Sequence, residues 1–228
     1  MARTATVSSP DQGALARLGT SVRQRLEADP AVYKLPPDEI EIYAVKNFLT
    51  PQECARLMGI IGAVAQPSTL FTTPYDAGHR TSYSGDVNPH DPFVKMIERR
   101  IDDLLGIRGD CGETVQGQRY DVGQEFRPHQ DYFHTTEDYW LRERRRGGQR
   151  SWTAMAYLNR VEEGGATEFT AIGLRIPPQP GALLVWNNMK PDGTPNSDTI
   201  HAGRPVVKGT KYIVTKWYRS RAWAPHAA

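Results

Sequence analysis

Residues 211–219 read Lys211-Tyr212-Ile213-Val214-Thr215-Lys216-Trp217-Tyr218-Arg219, a run of β-branched and aromatic residues between charged ends. Such a run favours an extended strand. Two-residue alternation puts Lys211, Ile213, Thr215, Trp217 and Arg219 on one side, with Tyr212, Val214, Lys216 and Tyr218 on the other. Upstream, similar short runs cover Thr114–Val122, Trp152–Asn159 and Gly181–Asn187. Turn signals separate them at Gly164-Gly165, Pro177-Pro178, Pro180-Gly181, Asp192-Gly193 and Lys208-Gly209. From Gly112 onward the chain therefore reads as many short strands.

The first half reads as helices around a little strand. Leu15, Leu18, Val22 and Leu26 recur at helical spacing before Asp29-Pro30, which predicts an N-terminal helical extension over residues 1–30. Glu39–Val45 alternates as a strand, with Ile40 and Ile42 on one face. Thr50-Pro51-Gln52-Glu53 is a capping box, and the helix it opens turns Leu57, Ile60, Ile61 and Val64 inward. Asp91-Pro92 starts another helix that buries Val94, Ile97, Ile101 and Leu104 and ends near Gly106. Helices followed by strands predict a mainly β domain with flanking helices, a sandwich or jelly roll, over residues 31–228.

At 228 residues with 39% hydrophobic content, the chain can bury a core the size of one large domain, which excludes wholesale disorder. A formal charge of +2 gives no reason to expect a nucleic-acid or membrane partner. Cys54 and Cys111 are too few for a disulfide scaffold, and the N-terminus lacks the apolar segment of a signal peptide. The expectation is a cytoplasmic protein with reduced thiols. Asp138–Arg150 is strongly basic and reads as a solvated excursion between strands, with phosphate binding as the minor alternative.

The chemistry concentrates at strand ends. His129-Gln130-Asp131 is the one His-x-Asp in the chain, and on an extended backbone its first and third side chains share a side. With His201 from a neighbouring strand it would form the two-His, one-carboxylate face that binds non-haem Fe(II) and leaves three positions open. The tripeptide alone is weak evidence, because such a His is more often a surface or hydrogen-bonded histidine than a metal ligand. His79, His90, His134 and His226 have no such partners. Ten residues after His201, Lys211 leads an inward row with Ile213 and Trp217, where burial of its ammonium is costly unless an anion meets it. A dicarboxylate that also chelates the metal would supply that anion. A plain exposed Lys at a strand start is the other reading.

Tyr120-Asp121-Val122-Gly123-Gln124 and Arg127-Pro128-His129-Gln130-Asp131-Tyr132-Phe133 resemble the iron-binding stretch of prolyl 4-hydroxylases. The resemblance runs on through Thr153–Asn159, Val161–Thr167, Gly181–Asn187, His201-Ala202-Gly203 and Gly209–Trp217, and more thinly upstream through Arg80-Thr81-Ser82. It implies an Fe(II)- and 2-oxoglutarate-dependent dioxygenase on a double-stranded β-helix, a cupin-like jelly roll, using O2 as second co-substrate and ascorbate (vitamin C) as accessory reductant. His129, Asp131 and His201 match the iron ligands, and Lys211 matches the lysine that holds the far carboxylate of 2-oxoglutarate. Tyr120, Thr153 and Trp217 match positions around the co-substrate, and Arg80, Ser82 and Glu113 match positions near the peptide.

Two departures fall near the expected substrate mouth. Arg219 stands where these hydroxylases often carry a His, and the basic excursion around Arg144 to Arg146 has no evident counterpart. The resemblance thus implies hydroxylation of an unactivated C–H, foremost of a prolyl residue in a peptide or protein, in a protein able to form a homodimer. The same chemistry on a free amino acid or small metabolite is the nearest alternative. A Zn hydrolase and a non-catalytic metal- or ligand-binding barrel are the readings from other classes.

Overall fold

A computed structural model describes residues 11–69 and 78–224, so residues 1–10 of the expected N-terminal extension, together with His226, lie outside the described residues. Among the described residues there are four α-helices: α1 Gln12–Ala28, α2 Pro51–Val64, α3 Pro92–Leu105 and the short α4 Trp140–Arg145. The strands are β1 Val32–Leu35, β2 Ile42–Val45, β3 Gln66–Pro67, β4 Tyr83–Asp86, β5 Gln116–Tyr120, β6 Phe126–His129 and β7 Arg150–Tyr157. They continue as β8 Glu163–Gly164, β9 Thr167–Phe169, β10 Leu174–Ile176, β11 Leu183–Asn187, β12 His201–Gly203, β13 Val206–Lys208 and β14 Lys211–Arg219.

The major sheet runs β1-β2-β11-β7-β14-β5-β4-β3, and the minor sheet runs β10-β9-β12-β6. Alternation decides what each face of the major sheet meets. Toward the minor sheet, Ile213 of β14 joins Tyr120, Tyr157, Phe169 and Trp186 in an inner core. Toward the helices, Val214 and Tyr218 of the same strand join Leu57, Ile61, Val94, Ile97 and Ile101 in an outer core. The two sheets face each other as a jelly roll, and the helices back only the larger one. Among the described residues no helix is long and apolar enough to cross a membrane.

Local chemistry explains the helix ends. The Thr50 hydroxyl accepts from the Glu53 N–H while the Glu53 carboxylate accepts from the Thr50 N–H, the reciprocal pair expected of the capping box. Asp91 caps α3 by accepting from the Phe93 N–H, and Gly106 closes that helix at φ 67°, where a Cβ would be strained. Each fully buried aliphatic on α3 contributes about 1.5–3 kcal/mol. The deep residue of its last turn is Leu105, with Leu104 half-buried beside it, one position from expectation. Val64 likewise ends α2 exposed. At Gly117 of β5 a Cβ would collide with Cγ1 of Ile61, so glycine there sets how closely α2 approaches the sheet.

Two strand expectations change. The strand placed at Glu39–Val45 begins only at Ile42, although Ile40 still reaches the inner core from the preceding turn. β1 was not anticipated; it is a four-residue edge strand that pairs only with β2, too short for an alternation signal.

Candidate active site

β6 and β12 pair so that His129 and His201 stand directly opposite each other. Asp131, just past the end of β6, completes the group, and one ligand atom from each of the three lies within 4.8 Å of the others. Both imidazoles are oriented in the same way. His129 Nδ1 lies 2.9 Å from the Arg127 carbonyl, and His201 Nδ1 lies 3.0 Å from that of Thr199. Each Nδ1–H is thereby committed to backbone, which leaves Nε2 unprotonated as a metal donor. Burial, and then the neighbouring His201, hold the His129 imidazole well below its ordinary pKa, hence neutral. Two imidazoles, each with its Nδ1 held by backbone, and a carboxylate converging on one point suit Fe(II).

The sheet opposite holds the carboxylate still. Thr153 of β7 donates to Asp131 Oδ2 at 2.7 Å and accepts from the Asn188 amide at 2.9 Å. With its acceptor site occupied by Asn188, the hydroxyl proton is directed to Asp131. Thr153 therefore anchors a metal ligand rather than lining the co-substrate cavity. Phe126 supports the other side, its ring stacked on His129 at 3.5 Å between centroids.

Lys211 opens β14 inside the same cavity, paired in register with Tyr120. It is 1% exposed, with its ammonium 5.2 Å from the Tyr120 ring and 5.7 Å from the Tyr157 ring. Among the described residues no carboxylate forms an ion pair with it, and burial brings its pKa down to about 7. The expectation of a buried ammonium in want of an anion holds. A bound dicarboxylate with one end at the triad and the other at Lys211 would complete the pair. Tyr120, whose hydroxyl donates to Gln118 at 2.7 Å, and Trp217 line the cavity.

Beyond the triad lies a cleft of about 520 Å3. Arg80 lines it, its guanidinium over the Phe126 ring and bonded to Ser82 and Gln116. Glu113 lines it too, but both carboxylate oxygens are taken by Arg150 at 2.6 and 2.7 Å, and Arg219 shares one of them. Burial alone would raise Glu113; the guanidiniums of Arg150 and Arg219 more than offset it and hold its carboxyl below the usual range.

Two residues expected at the substrate mouth sit elsewhere. Ser82 is buried behind Arg80, with its hydroxyl near that of Ser68. Arg219 is 2% exposed beneath Glu113 and reaches Glu143 of α4 on its far side. The basic excursion is solvated only in part, since Trp140, Glu143, Gln149 and Arg150 are buried. Sequence reasoning missed Arg150, Phe126 and Asn188. All three lie beside or at the end of stretches already singled out, Asn188 directly after Gly181–Asn187, but its bond to Thr153 across the sheet leaves no mark in the sequence.

Residues 115–219 match the family model of the 2OG-Fe(II) oxygenase superfamily. Probable prolyl 4-hydroxylase 8 of Arabidopsis thaliana is 35% identical over 209 residues, covering 79% of this chain and 69% of the relative. Prolyl 4-hydroxylase 5 of the same plant is 35% identical over 201 residues, covering 75% of this chain and 66% of the relative. The chain thus spans about two thirds of the length of these relatives. A viral collagen prolyl hydroxylase, vCPH from Paramecium Bursaria Chlorella virus-1, solved as its 2OG complex, superposes with a TM-score of 0.62 at 26% identity, over 78% of this chain and 95% of that one. A Pseudomonas putida prolyl-4-hydroxylase shares the fold, with a TM-score of 0.55 at 20% identity, over 90% and 99% of the two chains.

The fold and site define an Fe(II)- and 2-oxoglutarate-dependent dioxygenase. Within that superfamily, the chain belongs to the prolyl 4-hydroxylase family.

Proposed function

We propose that this chain hydroxylates a prolyl residue within a peptide or protein. The observation that carries the reading is the cleft, which opens directly onto His129 and Asp131 and is walled by Phe126, Tyr132, Phe133, Tyr139 and Trp217. Aromatic-lined grooves suit the preformed, extended conformation of proline-rich chains. At about 520 Å3 the cleft is in the range of sites for ligands larger than one amino acid. The relatives' names point the same way.

In this reading His129, Asp131 and His201 hold the Fe(II), which with 2-oxoglutarate and O2 supplies the oxidising power for the C–H bond. The chain's own residues bind and orient. Thr153 and the backbone carbonyls of Arg127 and Thr199 fix the ligands, so that the metal site is formed before substrate arrives. Lys211 pairs with the far carboxylate of 2-oxoglutarate and sets its orientation, which is a proximity effect and involves no proton transfer. The inner core of Tyr157, Phe169 and Trp186 keeps bulk water from that end of the cavity.

The test supplies Fe(II) and 2-oxoglutarate with a proline-rich peptide or with free proline, and reads succinate together with the mass of the product. The expected outcome is peptide-dependent succinate and a gain of one oxygen on a prolyl residue. Hydroxylation of free proline with the peptide untouched would overturn the reading. His129→Ala and Asp131→Ala should each lose Fe(II) on gel filtration; retention of stoichiometric iron would remove these residues from the ligand set.

A further inference from the structure

The two departures from the family pattern, Arg219 and the excursion after Phe133, meet in three dimensions. The Arg219 guanidinium donates to Glu143 of α4 at 2.7 Å, to the Gly148 carbonyl at 2.8 Å, and to Glu113 in the cleft wall. The neck of the excursion is closed by Gln149, whose side-chain amide accepts from the Phe133 N–H at 2.6 Å and donates to the Phe133 carbonyl at 2.8 Å. The residues after β14 tie it again: the N–H groups of Ser220, Arg221 and Ala224 donate to the carbonyls of Gln149, Gly147 and Arg146. Trp140 is buried within it. A surface loop with both ends clasped and an ion pair through its middle is a wall and not a tether.

The charge of this wall is opposite to what composition suggests. Arg142 and Arg146 pair with Glu143, Arg144 and Arg145 are exposed, and none of the four lines the cleft. At the ends of the excursion two charged residues line the cleft: Arg150, and just ahead of Asp138 the exposed Glu137, flanked by His134 and Tyr139. Asp86, at the end of β4, lines the same cleft, and neither acid has an ion-pair partner among the described residues. Of the two guanidiniums that line the cleft, Arg150 is committed to Glu113 and Arg80 donates to Ser82 and Gln116. Trp217, nine-tenths buried and also lining the cleft, has an indole N–H with no acceptor in the described structure. A carboxylate exposed on the cleft wall and free of any ion pair among the described residues favours a ligand that brings a cation, as a basic peptide does.

We infer that the excursion, latched by Arg219 to Glu143, is the specificity wall of the peptide cleft and selects substrates with a Lys or Arg beside the reacting residue, read by Glu137. This rests on the peptide reading above and narrows it. Arg219 and Glu143 are positioning residues here, and Glu137 is the residue that meets the substrate.

The experiment compares three peptides that differ only in a Lys, Ala or Glu beside the target proline, with kcat/KM measured for the wild type, Glu137→Lys and Glu143→Gln. The wild type should prefer Lys over Glu by about five- to tenfold at low salt. Glu137→Lys should invert that order, and Glu143→Gln should bring the ratio toward one while raising amide hydrogen exchange across residues 134–147. Arg219→His supplies a second disruption of the latch with the same expected pattern. Equal kcat/KM for the three peptides, an order unchanged by Glu137→Lys, or unaltered exchange in both latch variants would overturn the inference. Failure to hydroxylate any of the peptides would instead overturn the peptide reading itself.

Discussion

β14 carries two buried lysines five residues apart, and they have opposite fates. Lys216 faces the helices, 3% exposed, with its ammonium 2.7 Å from Asp102 and 3.5 Å from Glu98 of α3, and Tyr218 donates to the same Asp102 oxygen at 2.6 Å. Lys211 faces the inner cavity, 1% exposed, and meets two tyrosine rings and no carboxylate. Burying a cation is costly on either side of the sheet. Lys216 recovers that cost inside the fold and clamps α3 to the sheet. Lys211 has no ion-pair partner among the described residues, and in the proposed reading its counter-ion comes with the ligand. Burial alone does not distinguish a structural charge from a functional one; the presence of a counter-ion does.

Replacing each lysine by the near-isosteric, uncharged Met sharpens the contrast. Lys216→Met leaves the half-buried carboxylates of Asp102 and Glu98 without their cation and should destabilise the protein by about 2–3 kcal/mol, with the 2-oxoglutarate KM unchanged. Lys211→Met should leave the melting temperature equal or higher but raise the 2-oxoglutarate KM on the order of 100-fold, as expected when one partner of a buried ligand charge pair is removed. Thermal unfolding and succinate kinetics on both variants check this; matching losses in stability with equal KM values would erase the distinction.

A smaller effect is expected at the metal. Thr153→Val keeps the shape but removes the hydroxyl that fixes Asp131, and should weaken Fe(II) binding about 10–100-fold without altering the fold. Titration with Fe(II) or Co(II) reads it directly.

The smallest effect is a pH dependence. The unfolded chain keeps the Lys211 proton up to about 10.5, whereas the 2-oxoglutarate-free folded protein releases it near 7. Unfolding takes up a proton in that window, so stability rises with pH from about 7 to 10.5, by about 1 kcal/mol between pH 7 and 8. Denaturant melts of wild type against Lys211→Met isolate this slope, which should vanish in the variant and when 2-oxoglutarate supplies the carboxylate.

Much of the site was legible because its residues lie in runs where strand parity speaks for itself. Lys211, Ile213 and Trp217 share a side of β14 by alternation, whereas β6 ends at His129 and Asp131 follows in a bend, so there the motif and not parity marked the pair. The capping box and the Asp91-Pro92 start were legible for the same local reason. Thr153 was legible as a site residue but not in its role, which depends on a carboxylate 22 positions away and an amide 35 positions away. Arg219 was misplaced because parity says which face a side chain leaves by, not what lies above it. Glu113, Glu143 and Gly148 close over it, 106, 76 and 71 positions distant along the chain.

The chain's own pattern determined the helix starts, the strand-rich second half and the inward row of β14, because each is set by periodicity or by motifs a few residues long, and the resemblance to prolyl 4-hydroxylases marked the candidate iron triad and Lys211. Folding alone decided which buried charges are completed within the protein: Lys216 and Glu113 are paired among the described residues, and Lys211 is not. Ion pairing depends on the inverse of distance and on the removal of water. Both are properties of packed neighbours, and neither is written in the order of the residues.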